Sequence, residues 1–117
     1  PDSRVMRCQE LNSLSGKVLR IDRDGRGVGG NPWFTGSVQA TDNIAKVYAL
    51  GCRNPWRLHL DPVLKLPWIA EVGWGSYEEV NLGRAGSNMQ WPCVEGRQVV
   101  SAYSGYRKCS NYPNNSD

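Results

Sequence analysis

The sequence predicts an all-β fold built from short strands and tight turns, and three observations predict it. Short runs with alternating apolar residues recur at roughly ten-residue spacing, each closed by Gly, Pro, Asn or Asp. Thirteen Gly and seven Pro among 117 residues supply the turns, while five Trp and five Tyr supply buried area in place of a large aliphatic core. No stretch carries the 3.6-residue apolar period of an amphipathic helix. A chain with 39% apolar residues has a thin core, and strand spacing alone suits a sandwich, a barrel or propeller blades equally.

Residues 1–15 are polar and aperiodic and are expected to be loop. The first strand is predicted over Lys17–Ile21, with Leu19 and Ile21 on one buried face. Asp22-Arg23-Asp24-Gly25 closes it, because an Asp can cap its own turn and Gly25 can take positive φ. The same residues resemble the start of a calcium loop, but the later acidic ligands of an EF-hand are missing, so a turn is expected. Residues 25–43 form a Gly/Pro/Asn-rich connection in which Trp33 and Phe34 pin the loop. A second strand is predicted over Lys46–Leu50, ended by Gly51. Trp56–Leu60 alternates, with Trp56, Leu58 and Leu60 expected inward and His59 outward, and Asp61-Pro62 stops it. Further strands are expected over Leu66–Val72, with Pro67 near the start where a lost N–H is tolerated. Two more are expected over Glu78–Leu82 and Asn88–Trp91.

Charge excludes some functions. Fourteen basic and eleven acidic residues give a net +3 without a basic stripe, since Arg20, Arg23 and Arg26 alternate with Asp22 and Asp24; no nucleic-acid partner is expected. No run approaches the ~20 apolar residues of a membrane span. The start at Pro1, with no leader pattern, is expected to mark a processed or excised product. Cys8, Cys52, Cys93 and Cys109 allow three pairings and contain no C-x-x-C, which argues against zinc and for disulfides in an oxidising, secreted or extracellular setting. Asn114-Asn115-Ser116 is a glycosylation sequon.

Four ordered blocks choose among the all-β architectures. They are Leu14–Asp22, Tyr48–Arg57 (with Arg53-Asn54-Pro55-Trp56), Glu71–Asn81 (with Gly73-Trp74-Gly75) and Gly86–Pro92. Together, over roughly residues 10–96, they resemble the soluble glucose/sorbosone dehydrogenase family of six-bladed β-propellers, which includes quinoprotein sugar dehydrogenases. The resemblance implies that residues 1–117 are part of one propeller, about two of six blades at roughly 40–50 residues per blade. Residues 10–62 are then one blade region and 63–117 the next. Such a segment needs the remaining blades, or a larger extracellular assembly, to close.

The resemblance also implies a site. Arg53 and Asn54 match the pair that faces pyrroloquinoline quinone; a rigid, permanently charged guanidinium suits the negative charge that grows on a quinone oxygen as hydride arrives. Gly73 and Trp74 match the loop whose main-chain carbonyls hold calcium, with Trp74 where the family commonly has Pro. Glu78 and Glu79 are adjacent in a strand and face opposite ways, so they are expected as one solvated group and one blade-to-blade partner rather than an acid–base dyad. His59, the only histidine, lies away from the position of the family's base, which falls upstream of Leu14–Asp22; the residues that grip the cofactor's carboxylates fall downstream. No catalytic residue is therefore assigned. The start Trp91-Pro92-Cys93-Val94-Glu95-Gly96 is similar to family members with a bridged cysteine there. This implies a Cys93–Cys109 disulfide and leaves Cys8–Cys52 as the second pair. Two functions compete: a segment of an enzyme oxidising aldose sugars, and a non-catalytic extracellular propeller serving as a binding or assembly module.

Overall fold

The structure, a computed structural model, describes residues 2–110. It is a set of small antiparallel sheets. Strands β1 (Lys17–Leu19) and β2 (Val47–Leu50) form the first sheet. Strands β3 (Pro55–Leu60), β4 (Pro67–Glu71) and β5 (Glu79–Leu82) form the second, in that order. Strands β6 (Val94–Glu95) and β7 (Gln98–Val99) form a short hairpin. Among the described residues helix is confined to a 3-10 segment at Ser3–Gln9, a single α turn (α1, Asn43–Lys46) and a 3-10 turn at Ser101–Tyr103. The Asn114 sequon lies outside the described residues.

Local chemistry accounts for most of these boundaries. The Asp22 Oδ1 atom accepts from the Asp24 and Arg26 N–H groups, and Gly25 takes φ +76, so β1 ends in an Asp-capped turn. Asp61 Oδ1 caps the β3–β4 connection by accepting from Val63 N and Leu64 N. Asp2 accepts from Arg4 N and starts the 3-10 segment within a stretch whose polar, aperiodic sequence predicts loop.

Residues 51–54 join the first sheet to the second, and the β3–β4 hairpin spans residue 62. Two expectations are corrected. First, Trp56, Leu58 and Leu60 are not buried: they are 70%, 56% and 57% exposed. Leu58 lies opposite buried Ile69, and Leu58 and Leu60 line a cleft with Val18, Leu19 and Tyr48, so these two face the first sheet without being covered by it. Second, Asn88–Trp91 is not a strand. It runs beside the end of β2 through one parallel bridge at Leu50–Asn88, and Gln90 at φ +74 breaks the extended path.

The core has two centres. Val18, Ala49, Cys52 and Ile69 join the two larger sheets. Met6, Cys8, Trp91, Cys93, Tyr103 and Cys109 tie the N-terminal 3-10 segment to the C-terminal part. Polar contacts reinforce that second centre: Gln9 Nε2 donates to the Trp91 carbonyl at 2.6 Å, and Asn88 Nδ2 donates to Gln9 Oε1 at 2.7 Å.

Cys93 and Cys109 are bridged, with S–S 2.00 Å. The second expected pair is not: Cys8 and Cys52 are buried free thiols. The Cys8 thiol is instead directed at the carbonyls of Val5 and Trp91, each 2.9 Å away. Burial pushes the thiols up to about 11 for Cys8 and about 12 for Cys52, which keeps both protonated.

Candidate functional site

Gly51-Cys52-Arg53-Asn54 carries the chain from β2 to β3. Gly51 turns it at φ +78, and a side chain there would collide with Asn88 and the main chain of Gln90. The turn is fixed from below by Glu71 at the end of β4. Its Oε1 accepts from Arg53 N, at short range, and from Asn54 N at 3.3 Å. Val72 N returns a bond to the Asn54 carbonyl at 3.1 Å. The Arg53 side chain is then held twice more: Nη1 donates to the Val72 carbonyl at 3.0 Å, and its guanidinium carbon lies 5.4 Å from the centre of the Trp91 ring. Asn54 is exposed at the same turn.

The loop from Gly73 to Tyr77, between β4 and β5, is organised by a second carboxylate. Glu95 Oε1 accepts from four successive main-chain N–H groups: Trp74 at 2.5 Å, Gly75 at 3.0 Å, Ser76 at 3.3 Å and Tyr77 at 3.5 Å. Successive N–H groups pointing into one concavity form an anion nest. Burial works against the charge on Glu95, but these donors outweigh it and hold the carboxyl below its ordinary range. Gly73 is required where it stands, since an added Cβ would run into the Tyr77 carbonyl and the Glu95 carboxylate. Glu78 is exposed and accepts from Gly73 N at 3.3 Å; Glu79 accepts from Gly96 N and, at 3.0 Å, from Asn81 Nδ2.

The two loops meet over one aromatic group. Trp91 supports Arg53 from below and packs edge-on against Trp74, centroids 5.9 Å apart; Trp74 also packs on Tyr103 at 6.0 Å. Arg53, Asn54, Gly73 and Trp74 therefore lie at the same end of the sheets. A small cavity beneath them is lined by Arg53, Glu71, Glu79, Met89, Trp91 and Glu95. His59 is not part of this group; it sits on β3, exposed, opposite Trp68.

The Arg53 guanidinium and the exposed Asn54 amide are hydrogen-bond donors at this end of the sheets, beside the carboxylates of Glu71, Glu79 and Glu95. Among the described residues no group of three or more His, Cys, Asp or Glu is placed to hold a metal ion. Also among them, neither the Gly73 nor the Trp74 carbonyl accepts a hydrogen bond. Hard main-chain oxygens of that kind are calcium ligands.

Sequence reasoning missed Glu71, Glu95 and Trp91 as parts of the site. Glu71 had a signal: in Pro67-x-Ile69-x-Glu71 it occupies an inward position of a strand, and an inward carboxylate needs partners. Glu95 had none, because its partners are main-chain groups some twenty residues away.

The model of the Glucose / Sorbosone dehydrogenase family matches residues 2–116. Quinoprotein glucose dehydrogenase B of Acinetobacter calcoaceticus is 35% identical over 113 residues, 95% of this chain and 22% of that protein. The HIPL2 protein of Arabidopsis thaliana is 34% identical over 112 residues, 85% of this chain and 16% of its own length. Among solved structures, the PQQ-bound form of aldose sugar dehydrogenase from Streptomyces coelicolor superposes with a TM-score of 0.64 at 32% identity, covering 81% of this chain and 25% of that one. The chain thus spans about a fifth of the curated relatives it matches.

Proposed function

The chain belongs to the glucose/sorbosone dehydrogenase family and is a fragment of its β-propeller, and from that premise we propose that it carries one side of the mouth of an enzyme oxidising aldose sugars with pyrroloquinoline quinone and calcium. The observation that carries this reading is the immobilised Arg53, held through main chain, guanidinium and ring face at the end of the sheets where the Gly73–Trp74 loop also ends.

When bound, the quinone supplies a two-electron acceptor for hydride from the sugar. Arg53, already held in place by its main chain, its guanidinium and the Trp91 ring, would offer a fixed positive charge to the oxygens on which negative charge grows. Asn54 offers an amide donor from the same turn. Among the described residues, the Gly73 and Trp74 carbonyls would hold calcium; the remaining ligands, the base that takes the sugar's hydroxyl proton and the groups that hold the cofactor's carboxylates would come from other blades. The Cys93–Cys109 bridge supports a secreted or extracellular location. No helix among the described residues is long and apolar enough to cross a membrane.

The test is reconstitution of the complete protein with pyrroloquinoline quinone and calcium, followed by absorbance of the quinone on adding an aldose. Reduction that requires both sugar and calcium is expected. Tight quinone binding without reduction by any aldose would sink the catalytic reading and leave a binding module.

A further inference from the structure

We infer that Glu71 is a positioning residue of this site, setting where Arg53 stands by holding the main chain of Arg53 and Asn54 on a buried carboxylate; the inference rests on the quinone-facing reading of Arg53. Four observations lead to it. Glu71 is 6% exposed. Its Oε1 takes both N–H groups of the Arg53–Asn54 turn. Its Oε2 is buried with no hydrogen-bond partner, and the side chain borders the cavity under Arg53. Among the described residues no basic side chain forms an ion pair with it, since the Arg53 guanidinium is turned to the Val72 carbonyl and the Trp91 ring.

A carboxylate in this position is a poor choice for stability alone. One oxygen is fully engaged, and the other is stripped of water without compensation. What the arrangement does provide is geometric. A charged oxygen accepting two consecutive N–H groups is a stronger and more directional anchor than a neutral one. The anchored groups are the backbone of the residue whose side chain faces the proposed ligand. Glu71 sits at the end of β4, directly before Val72, whose carbonyl takes the Arg53 guanidinium and whose N–H takes the Asn54 carbonyl. One strand end therefore fixes Arg53 at its main chain and at its tip. Displacing a positioned group by about 1 Å costs on the order of 100-fold in a reaction that depends on it, so the anchor matters beyond its contribution to folding.

The experiment is a double-mutant cycle in the complete protein, read by equilibrium titration of pyrroloquinoline quinone into the apo form and by hydrogen exchange of individual amides. Glu71→Ala is expected to weaken quinone binding at least ~10-fold and Glu71→Gln, which keeps an acceptor at the same place, only ~3-fold or less. Combined with Arg53→Ala, Glu71→Ala is expected to cost nothing further, because it acts through Arg53. Exchange at the Arg53 and Asn54 amides is expected to speed up in Glu71→Ala while that at Trp74–Tyr77 is unchanged. Additive losses in the cycle, or equal losses in Glu71→Gln and Glu71→Ala, overturn the inference. If Glu71→Ala does not fold, Glu71→Asp serves, because its shorter side chain keeps the charge but cannot reach the turn; it is expected to behave as Glu71→Ala does. If the parent protein binds no quinone, the functional reading fails, and hydrogen exchange decides the inference by itself: selective loss of protection at Arg53 and Asn54 upholds the anchoring, and uniform or absent change overturns it.

Discussion

The guanidinium of Arg53 lies over the ring of Trp91, 5.4 Å from its centre, while its Nη1 donates to the Val72 carbonyl. The side chain is thus held by a flat face and a single acceptor, which a fork-shaped planar cation satisfies and a tetrahedral ammonium on a flexible stem does not. Arg53→Lys in the complete protein is expected to lower turnover on aldoses about 100-fold or more. Its unfolding free energy should move by no more than about 1 kcal/mol, since the group lies at the end of the sheets and outside both core centres. Steady-state kinetics beside a denaturant titration tests this; parental turnover in the variant would remove Arg53 from the proposed chemistry.

Glu95 gives a pH-dependent prediction. Its four N–H partners hold its carboxyl below the ordinary Glu value, so the carboxylate stabilises the fold above the unfolded pKa of about 4.3. That contribution disappears as pH falls through the lower folded value. Glu95→Ala leaves the N–H groups of Trp74–Tyr77 without their acceptor and is expected to cost about 1–3 kcal/mol at neutral pH. The gap between parent and variant should shrink in acid. Thermal midpoints at pH 7 and pH 3 give both quantities, and a gap that is unchanged in acid would contradict the nest.

Glu71 behaves in the opposite sense. Burial is the main influence on it and outweighs the Arg53 and Asn54 N–H donors, with the neighbouring Glu79 adding to the upward shift and the Arg53 charge opposing it. A raised folded pKa means that the favourable, protonated state is fully populated below the unfolded pKa and is lost as pH rises through the folded value. Glu71→Gln, neutral at every pH, is therefore expected to be at least as stable as the parent at pH 7, with the advantage closing as pH falls below about 4. Melting curves at the two pH values check the sign.

The cysteines divide into two chemically distinct pairs. Peptide mapping under non-reducing conditions is expected to return Cys93 linked to Cys109 and no link between Cys8 and Cys52. The two thiols should resist alkylation until the protein is unfolded, because they are buried and pushed up to about 11 and about 12. Replacing Cys93 and Cys109 together by Ser is expected to cost about 2–5 kcal/mol.

How much of this was legible in the sequence follows from where each contact is made. Strand β4 could be read because its alternation, Pro67, Ile69 and Glu71 inward, is local. The turn after β1 could be read because Asp22 bonds within four residues of itself. Trp56, Leu58 and Leu60 alternate as clearly, yet alternation predicts a face and not what covers it: Leu58 and Leu60 line a cleft with Val18 and Leu19 and stay exposed. Within the site, Arg53, Asn54, Gly73 and Trp74 were reached through family resemblance. Glu95 was not, since a carboxylate that bonds only main-chain N–H groups leaves no trace in side-chain spacing. The 3-10 segment Ser3–Gln9 was missed for a related reason: it is held by Met6 and Cys8 packing on Trp91 and Tyr103, far away in sequence.

The Gly73 loop offers a paired test in which one glycine should matter and its neighbour should not. An added Cβ at Gly73 would fall on the Tyr77 carbonyl and within 2.8 Å of Glu95 Oε1; at Gly75 it would meet nothing within 4 Å. The obstruction at Gly73 is main chain on one side and a carboxylate already committed to four N–H groups on the other, so neither can move aside cheaply. Gly73→Ala is expected to cost about 1–3 kcal/mol as an overpacked position. It should also weaken calcium-dependent quinone binding in the complete protein, because relief of the clash requires the loop carbonyls to shift. Gly75→Ala removes backbone freedom from the unfolded chain without a clash in the folded one, and should be neutral or slightly stabilising, within about 1 kcal/mol. Unfolding titrations and calcium-dependent quinone titrations on the two variants separate the cases. Equal behaviour of Gly73→Ala and Gly75→Ala in both measurements would show that the Glu95 nest does not fix this loop.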